Sequence, residues 1–160
     1  MRHAVLAGKL CCVKWRLELH DAARDSIIRL SRAAADSRET GGILLGCGPE
    51  ADATVHVEQA GDAGPNAIRR PDFFLRDLEH ARALADEAWE RSGAVWVGEW
   101  HTHLKPSGHP SEADLMTYYR LLSAADLEFE VFVSIIAVPG PAGEWDEPEL
   151  RPWLLQMSDG

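Results

Sequence analysis

His101, His103, Ser111 and Asp114 fall close together in GEWHTHLKPSGHPSEADL, residues 98–115. A strand alternates its side chains, so His101 and His103 point to the same side if the strand reaches that far. Asp114 is expected in the first turn of a following helix. The intervening loop carries Pro106, Gly108 and Pro110 and can turn the chain back. Two neutral imidazoles and one carboxylate make three metal ligands. Four-coordinate zinc then keeps one position for water, as catalytic sites do. Zinc also lowers the pKa of that water towards about 7. The same residues have a second reading. Ser111-Glu112-Ala113-Asp114 is S-x-x-D, and Pro110 precedes it, which is the pattern of a capping box at a helix entry. Spacing alone leaves both readings open.

Other metal chemistries are tested by the same stretch. A zinc deaminase needs H-x-E and P-C-x-x-C, and neither is present. A non-haem iron oxygenase uses two histidines and a carboxylate, which spacing does not exclude. Hydrolysis at a metal also needs a group that takes a proton and returns it to the leaving amine. Glu39 in RETGGILLG is the candidate. Thr40, Gly41 and Gly42 would let the chain there approach a site closely, although an isolated Glu after a helix is usually a solvated charge.

These residues need elements to hold them. Ala23, Ile27, Leu30 and Ala34 make one apolar face of a helix over 20–36. Ile43-Leu44-Leu45 reads as a buried strand between Gly42 and Gly46, and 53–59 as a second strand. A loop over 60–71 leads to a helix predicted from Asp72 to Arg91, striped by Phe74, Leu78, Ala81, Ala85 and Ala88. The strand 94–101 should place Trp96 and Trp100 on one side, and Val95, Val97, Glu99 and His101 on the other. A helix from Ser111 is striped by Leu115, Tyr118, Tyr119 and Leu122. FEVFVSIIAV (129–138) reads as a central strand, and a last strand lies around LRPWLLQM. The mixture is not a regular βαβ alternation, so the expected class is α/β or α+β with a mixed sheet.

The chain has 160 residues, 46% hydrophobic and 26% charged, which suits one globular domain over 1–160 with a core of about 17–157. A net charge of −10 argues against a nucleic-acid or anionic-membrane surface. No apolar run approaches the roughly 20 residues of a membrane span. Lys9 and Lys14 interrupt the first apolar stretch, so no secretory signal is expected. Cys11, Cys12 and Cys47 read as thiols of a reducing cytoplasm.

Taken together, the chain resembles the JAMM/MPN+ metalloproteases. Their signature is an upstream Glu and then H-x-H-x7-S-x2-D, matched here by Glu39, His101, His103, Ser111 and Asp114. E-x-G-G-x-L-x-G around Glu39 matches as well. The resemblance implies a cytidine-deaminase-like architecture, a mixed central sheet with about three helices, and one Zn2+ per chain held by His101, His103 and Asp114. It makes Glu39 the general base and then acid, and Ser111 a stabiliser of the oxyanion. It implies cleavage after the C-terminal glycine of a ubiquitin-like protein. GPNAIRRPDFFLRD (64–77) resembles small bacterial members from antiphage operons such as CBASS, where the substrate is a nucleotidyltransferase joined to its targets. The same resemblance covers peptidases acting on a sulfur-carrier protein, and non-catalytic MPN scaffolds. One departure is Leu104 where the family usually has proline, which appears instead at Pro106. Of the remaining polar residues, Glu99 is read as a surface or structural carboxylate in preference to a ligand-orienting one. His109 is read as a loop residue and His56 as a strand residue without a role. Arg69 and Arg70 are read either as a grip on an acidic partner or as a solvated turn.

Overall fold

The computed structural model describes residues 2–5, 15–49 and 51–157. Cys11, Cys12, Lys9 and Lys14 lie outside them. Nine strands and three helices are described: β1 (Arg2–Val5), β2 (Arg16–Leu19), α1 (Asp21–Ala33), β3 (Gly41–Cys47), β4 (Thr54–Ala60), β5 (Ile68–Arg70), β6 (Phe73–Leu75), α2 (Leu78–Ser92), β7 (Val95–Thr102), α3 (Glu112–Leu122), β8 (Phe132–Val138) and β9 (Glu149–Gln156). Seven strands form one mixed sheet in the order β1-β9-β8-β7-β3-β4-β2, and β5-β6 is a separate hairpin. The expected α/β class with a mixed sheet is therefore observed. No helix among the described residues is long and apolar enough to cross a membrane.

β8 is central because FVSIIAV is apolar at nearly every position and buried on both faces. Val133, Ile135 and Ala137 join Ile27 of α1 and Leu44 of β3 in one core cluster. Phe132, Ile136 and Val138 face the other way, against Tyr118, Leu121 and Leu122 of α3. A third cluster joins Ala81 and Ala88 of α2 to Ile43 and Leu45 of β3. Each helix thus covers part of a sheet that would otherwise expose its β-branched surface.

Three expectations need correction. The helix expected from Asp72 starts at Leu78, because Phe73–Leu75 pairs with Ile68–Arg70 as a hairpin. Asp77 is the N-cap, and its side chain accepts a hydrogen bond from the backbone of His80. Phe74 is therefore buried as a strand residue, while Leu78 is exposed. Second, Trp96 and Trp100 do not share a side. The β3–β7 register shifts between Leu44 and Leu45. Such a bulge inserts a residue and reverses the parity on one side of it. Trp100 accordingly packs with the α1 cluster, and Trp96 with the α2 and α3 clusters. Third, Tyr119 is exposed, and Leu121 takes a place in the buried stripe of α3.

Tyr118 and Ser134 are both fully buried, and their hydroxyls lie 2.7 Å apart in a hydrogen bond. Tyr118→Phe leaves the Ser134 hydroxyl unpaired and should cost about 1–3 kcal/mol. Adding Ser134→Ala should recover part of that loss in urea unfolding. A double variant whose loss equals the sum of the singles would show that the pair is not coupled.

Candidate metal centre

The site begins at the C-terminal end of β7. Its last residues include His101, which is 1% exposed, and the backbone N–H of His103 continues the ladder by donating to Ala137 O at 2.9 Å. Both imidazoles therefore project to one place. Their Nε2 atoms are 3.0 Å apart. Asp114 reaches the same point from the first turn of α3. Its Oδ1 lies 3.3 Å from His101 Nε2, and its Oδ2 lies 3.2 Å from His103 Nε2.

This donor set fits a zinc ion. Ligand atoms about 2.0–2.1 Å from a tetrahedral zinc stand roughly 3.3 Å from one another. The three observed separations, 3.0, 3.2 and 3.3 Å, match that spacing. His103 Nδ1 is 2.8 Å from Ser107 O, to which it donates, so Nε2 can keep its lone pair for a metal. His101 Nδ1 is buried without a hydrogen-bond partner. Its ring is held instead against Phe74, with centroids 6.4 Å apart and planes 17° from parallel.

Ser111 and Asp114 answer the question their spacing leaves open, because both form a capping box and Asp114 also faces the histidines. Asp114 N donates to Ser111 Oγ at 3.2 Å. Ser111 N and Ser111 Oγ both donate to Asp114 Oδ2, each at 2.7 Å. The cap that starts the helix thus orients the carboxylate.

Glu39 arrives from the segment between α1 and β3. The Glu39 N–H donates to Arg70 O at 2.8 Å, and its carbonyl accepts from Arg69 Nε at 3.0 Å. Arg69 also donates to Ala34 O and to the Asp36 carboxylate. It braces the turn before Glu39, and so is neither a solvated turn residue nor a free grip. Thr102 N donates to Thr40 O at 2.7 Å, and Gly41 pairs with His101. A Cβ at Gly41 would sit 2.2 Å from Trp100 O, so only glycine permits this approach. Glu39, His103 and Ser111 line one cavity of about 440 Å³ together with Pro71, Asp72 and Lys105.

The electrostatics follow from burial and these contacts. Burial pushes the Glu39 carboxyl up to about 7; His103 opposes this, and Asp114 and Asp72 add to it. Burial also pushes Asp114 up, but hydrogen bonds from His101 and His103 outweigh it and hold that carboxyl well below its usual range. Burial lowers His101. Burial lowers His103 as well, yet Asp114 and Ser107 raise it overall. Glu99 is buried against Arg76, so it is structural rather than a surface charge. His109 packs on Trp153 with ring centroids 5.2 Å apart and lines the cavity outside the triad.

Residues 20–156 match the family described as prokaryotic homologs of the JAB domain. Over 111 residues the chain is 31% identical to a protein of Enterobacter hormaechei subsp. hoffmannii (strain UCI 50) named CD-NTase/cGAS isopeptidase. That match covers 69% of this chain and 61% of the relative, so the chain aligns with less than two thirds of the relative's length. The solution structure of protein DSY2949 from Desulfitobacterium hafniense superposes with a TM-score of 0.61 at 19% identity, covering 89% of this chain and 94% of that one. This supports the fold.

Glu39 makes a prediction for the metal-free protein. Its folded value of about 7 lies above the ordinary 4.5, so between those pH values the folded state holds a proton that the unfolded chain has released. The group's contribution is fully present below about pH 4.5 and is lost as pH rises through about 7. With chelator present, Glu39→Gln should therefore gain stability relative to the native chain as pH goes from 5 to 8. Urea midpoints across that range provide the check, and a flat difference would contradict the shift.

Proposed function

The chain belongs to the family of prokaryotic homologs of the JAB domain, and on that premise we propose that it is a zinc-dependent isopeptidase or peptidase. The proposed reaction is cleavage after the C-terminal glycine of a ubiquitin-like protein or a nucleotidyltransferase, either to process it or to remove it from conjugated targets. The proposed setting is the cytoplasm of a bacterium defending itself against phage. The observation that carries the reading is the convergence of His101, His103 and Asp114 at 3.0–3.3 Å beside a buried Glu39 on one cavity. The similarity to a protein named CD-NTase/cGAS isopeptidase supports the substrate class.

In this reading His101 Nε2, His103 Nε2 and the Asp114 carboxylate would hold the zinc. When bound, zinc supplies Lewis acidity to the scissile carbonyl and acidifies water. The protein's own residues do the rest. Glu39 takes a proton from the attacking water on its carboxylate and returns it to the leaving amine. Its burial favours the protonated form, which suits the second of these steps. A cation held by His101, His103 and Asp114 would favour the ionised form, which suits the first. The Ser107 carbonyl keeps the His103 tautomer. Ser111 holds Asp114 in place by donating its hydroxyl proton to Oδ2, and it lines the cavity wall; to serve an oxyanion, that hydroxyl would have to turn away from Asp114. Pro71 and Asp72 on one segment, and Lys105 and Ser107 on another, line the cavity into which an extended glycine tail would be threaded.

A scaffold that only binds partners would need neither the convergent donors nor Glu39. A sulfur-carrier substrate would use the same chemistry, but the named relative gives it no support.

Glu39→Gln should retain zinc and lower kcat for a glycine-terminated fusion substrate by about 10²-fold or more. Asp114→Ala should lose both zinc and cleavage. Metal content by mass spectrometry, alongside the cleavage assay, checks both. Full activity in Glu39→Gln would remove Glu39 from the mechanism, and a native protein that takes up no metal would remove the hydrolase reading.

A further inference from the structure

A second cluster of metal-binding side chains lies away from this centre. β2 and β4 pair in parallel with Glu18 opposite His56. The neighbours of His56, Val55 and Val57, are buried in the core, so strand alternation sends His56 to the outer face. On β2 the same alternation puts Leu17 and Leu19 against the core and Glu18 on the outer face. His20 follows at the next outward position, as the N-cap of α1. Its side chain makes no cap hydrogen bond, so its nitrogens are not used in starting the helix.

The three side chains meet. His56 Nδ1 lies 3.1 Å from Glu18 Oε2 and 3.4 Å from His20 Nε2. One ligand atom from each falls within 4.8 Å of the others. The two rings stand nearly perpendicular, at 83°, so a nitrogen of one faces a nitrogen of the other and the faces do not stack. Two imidazoles and a carboxylate suit a borderline divalent transition ion. The chain's net charge of −10 concentrates cations around it.

The cluster is separate from the triad. Gly41 at one end of β3 pairs with His101, and Cys47 at the other end pairs with His56. A strand of that length separates the two places by about 20 Å at roughly 3.3 Å per residue.

We propose that Glu18, His20 and His56 form a second, surface site for a divalent transition cation of the zinc type. The site joins the four-residue edge strand β2 and the start of α1 to β4. An ion bound there stabilises the folded chain by linkage, since the three donors meet only after β2 and β4 pair. The site does not use the triad, and it would give His56 a role.

The test titrates untagged, metal-free protein with Zn2+ alone by calorimetry and follows the thermal midpoint. Four proteins are compared: native, His20→Ala/His56→Ala, Asp114→Ala, and the three substitutions together. The expected zinc stoichiometries are two, one, one and none. The double variant should also lose the part of the zinc-dependent rise in midpoint that Asp114→Ala keeps. His20 and His56 lie outside the core, and circular dichroism checks the fold. Glu18→Gln, a milder change, should weaken this binding about tenfold. If the native protein binds one ion and the double variant none, the surface site stands and the triad fails. If the double variant binds as many ions as the native chain, with equal affinity, the surface site is overturned.

Discussion

The close antiparallel pairing of β3 with β7 is the constraint on which the site depends. Gly41 lies opposite His101, and its missing Cβ lets the two backbones meet. Thr40 and Thr102 extend the contact, with Thr40 N donating to Thr102 Oγ1 at 2.9 Å and Thr102 N donating to Thr40 O at 2.7 Å. Glu39 is the next residue outward. Its distance from the histidines is therefore set by a ladder of backbone hydrogen bonds rather than by a flexible side chain. Arg69 secures the other side of Glu39 through the carbonyls of Ala34 and Glu39. A carboxyl raised to about 7 by burial is possible there because the backbone is anchored on both sides.

The same economy operates at Asp114. A helix must satisfy its first N–H groups, and Ser111 satisfies one of them. The reciprocal bonds from Ser111 to Asp114 Oδ2 orient the carboxylate while both oxygens remain within reach of a histidine. Capping the helix and placing the carboxylate are one structure. Burial alone would push this carboxyl towards its neutral form, and the two imidazoles reverse that tendency. The centre thus holds Asp114 ionised and brings its oxygens and two imidazole nitrogens to one point, an arrangement suited to a cation.

Elsewhere one pair of buried charges is matched. Arg76 and Glu99 are both nearly inaccessible, and burial lowers Arg76 only to about 10, so it stays charged at neutral pH. Their contact leaves Glu99 committed to Arg76 instead of to His101 or His103. The bulge at the β3–β7 register shift keeps Glu99 and His101 on the same face as Trp96, the one covered by α2 and α3, and turns Trp100 to the face covered by α1. Simple alternation along β7 predicts the wrong partner for Trp96, because a single inserted residue reverses the parity.

Much of the fold and of the site was legible in the sequence. H-x-H on a strand end, S-x-x-D at a helix start and E-x-G-G before an apolar strand are local patterns. They depend on side-chain type and spacing within one element, and periodicity places the three helices and the central strands for the same reason. What escaped depended on partners remote in the chain. The β5–β6 hairpin exists because Ile68–Arg70 finds Phe73–Leu75, and the apolar residues of PDFFLRD fit a helical stripe equally well until that pairing forms. β2 has only four residues and is recognisable through β4. Arg69 could not be distinguished from a surface charge without the carbonyls it reaches, more than 30 residues away. His56 acquires Glu18 and His20 as neighbours only through parallel pairing. The sequence by itself determined the donor types and their order. Tertiary structure decided which donors meet, because convergence of groups far apart in the chain is set by strand register, and register is set by packing.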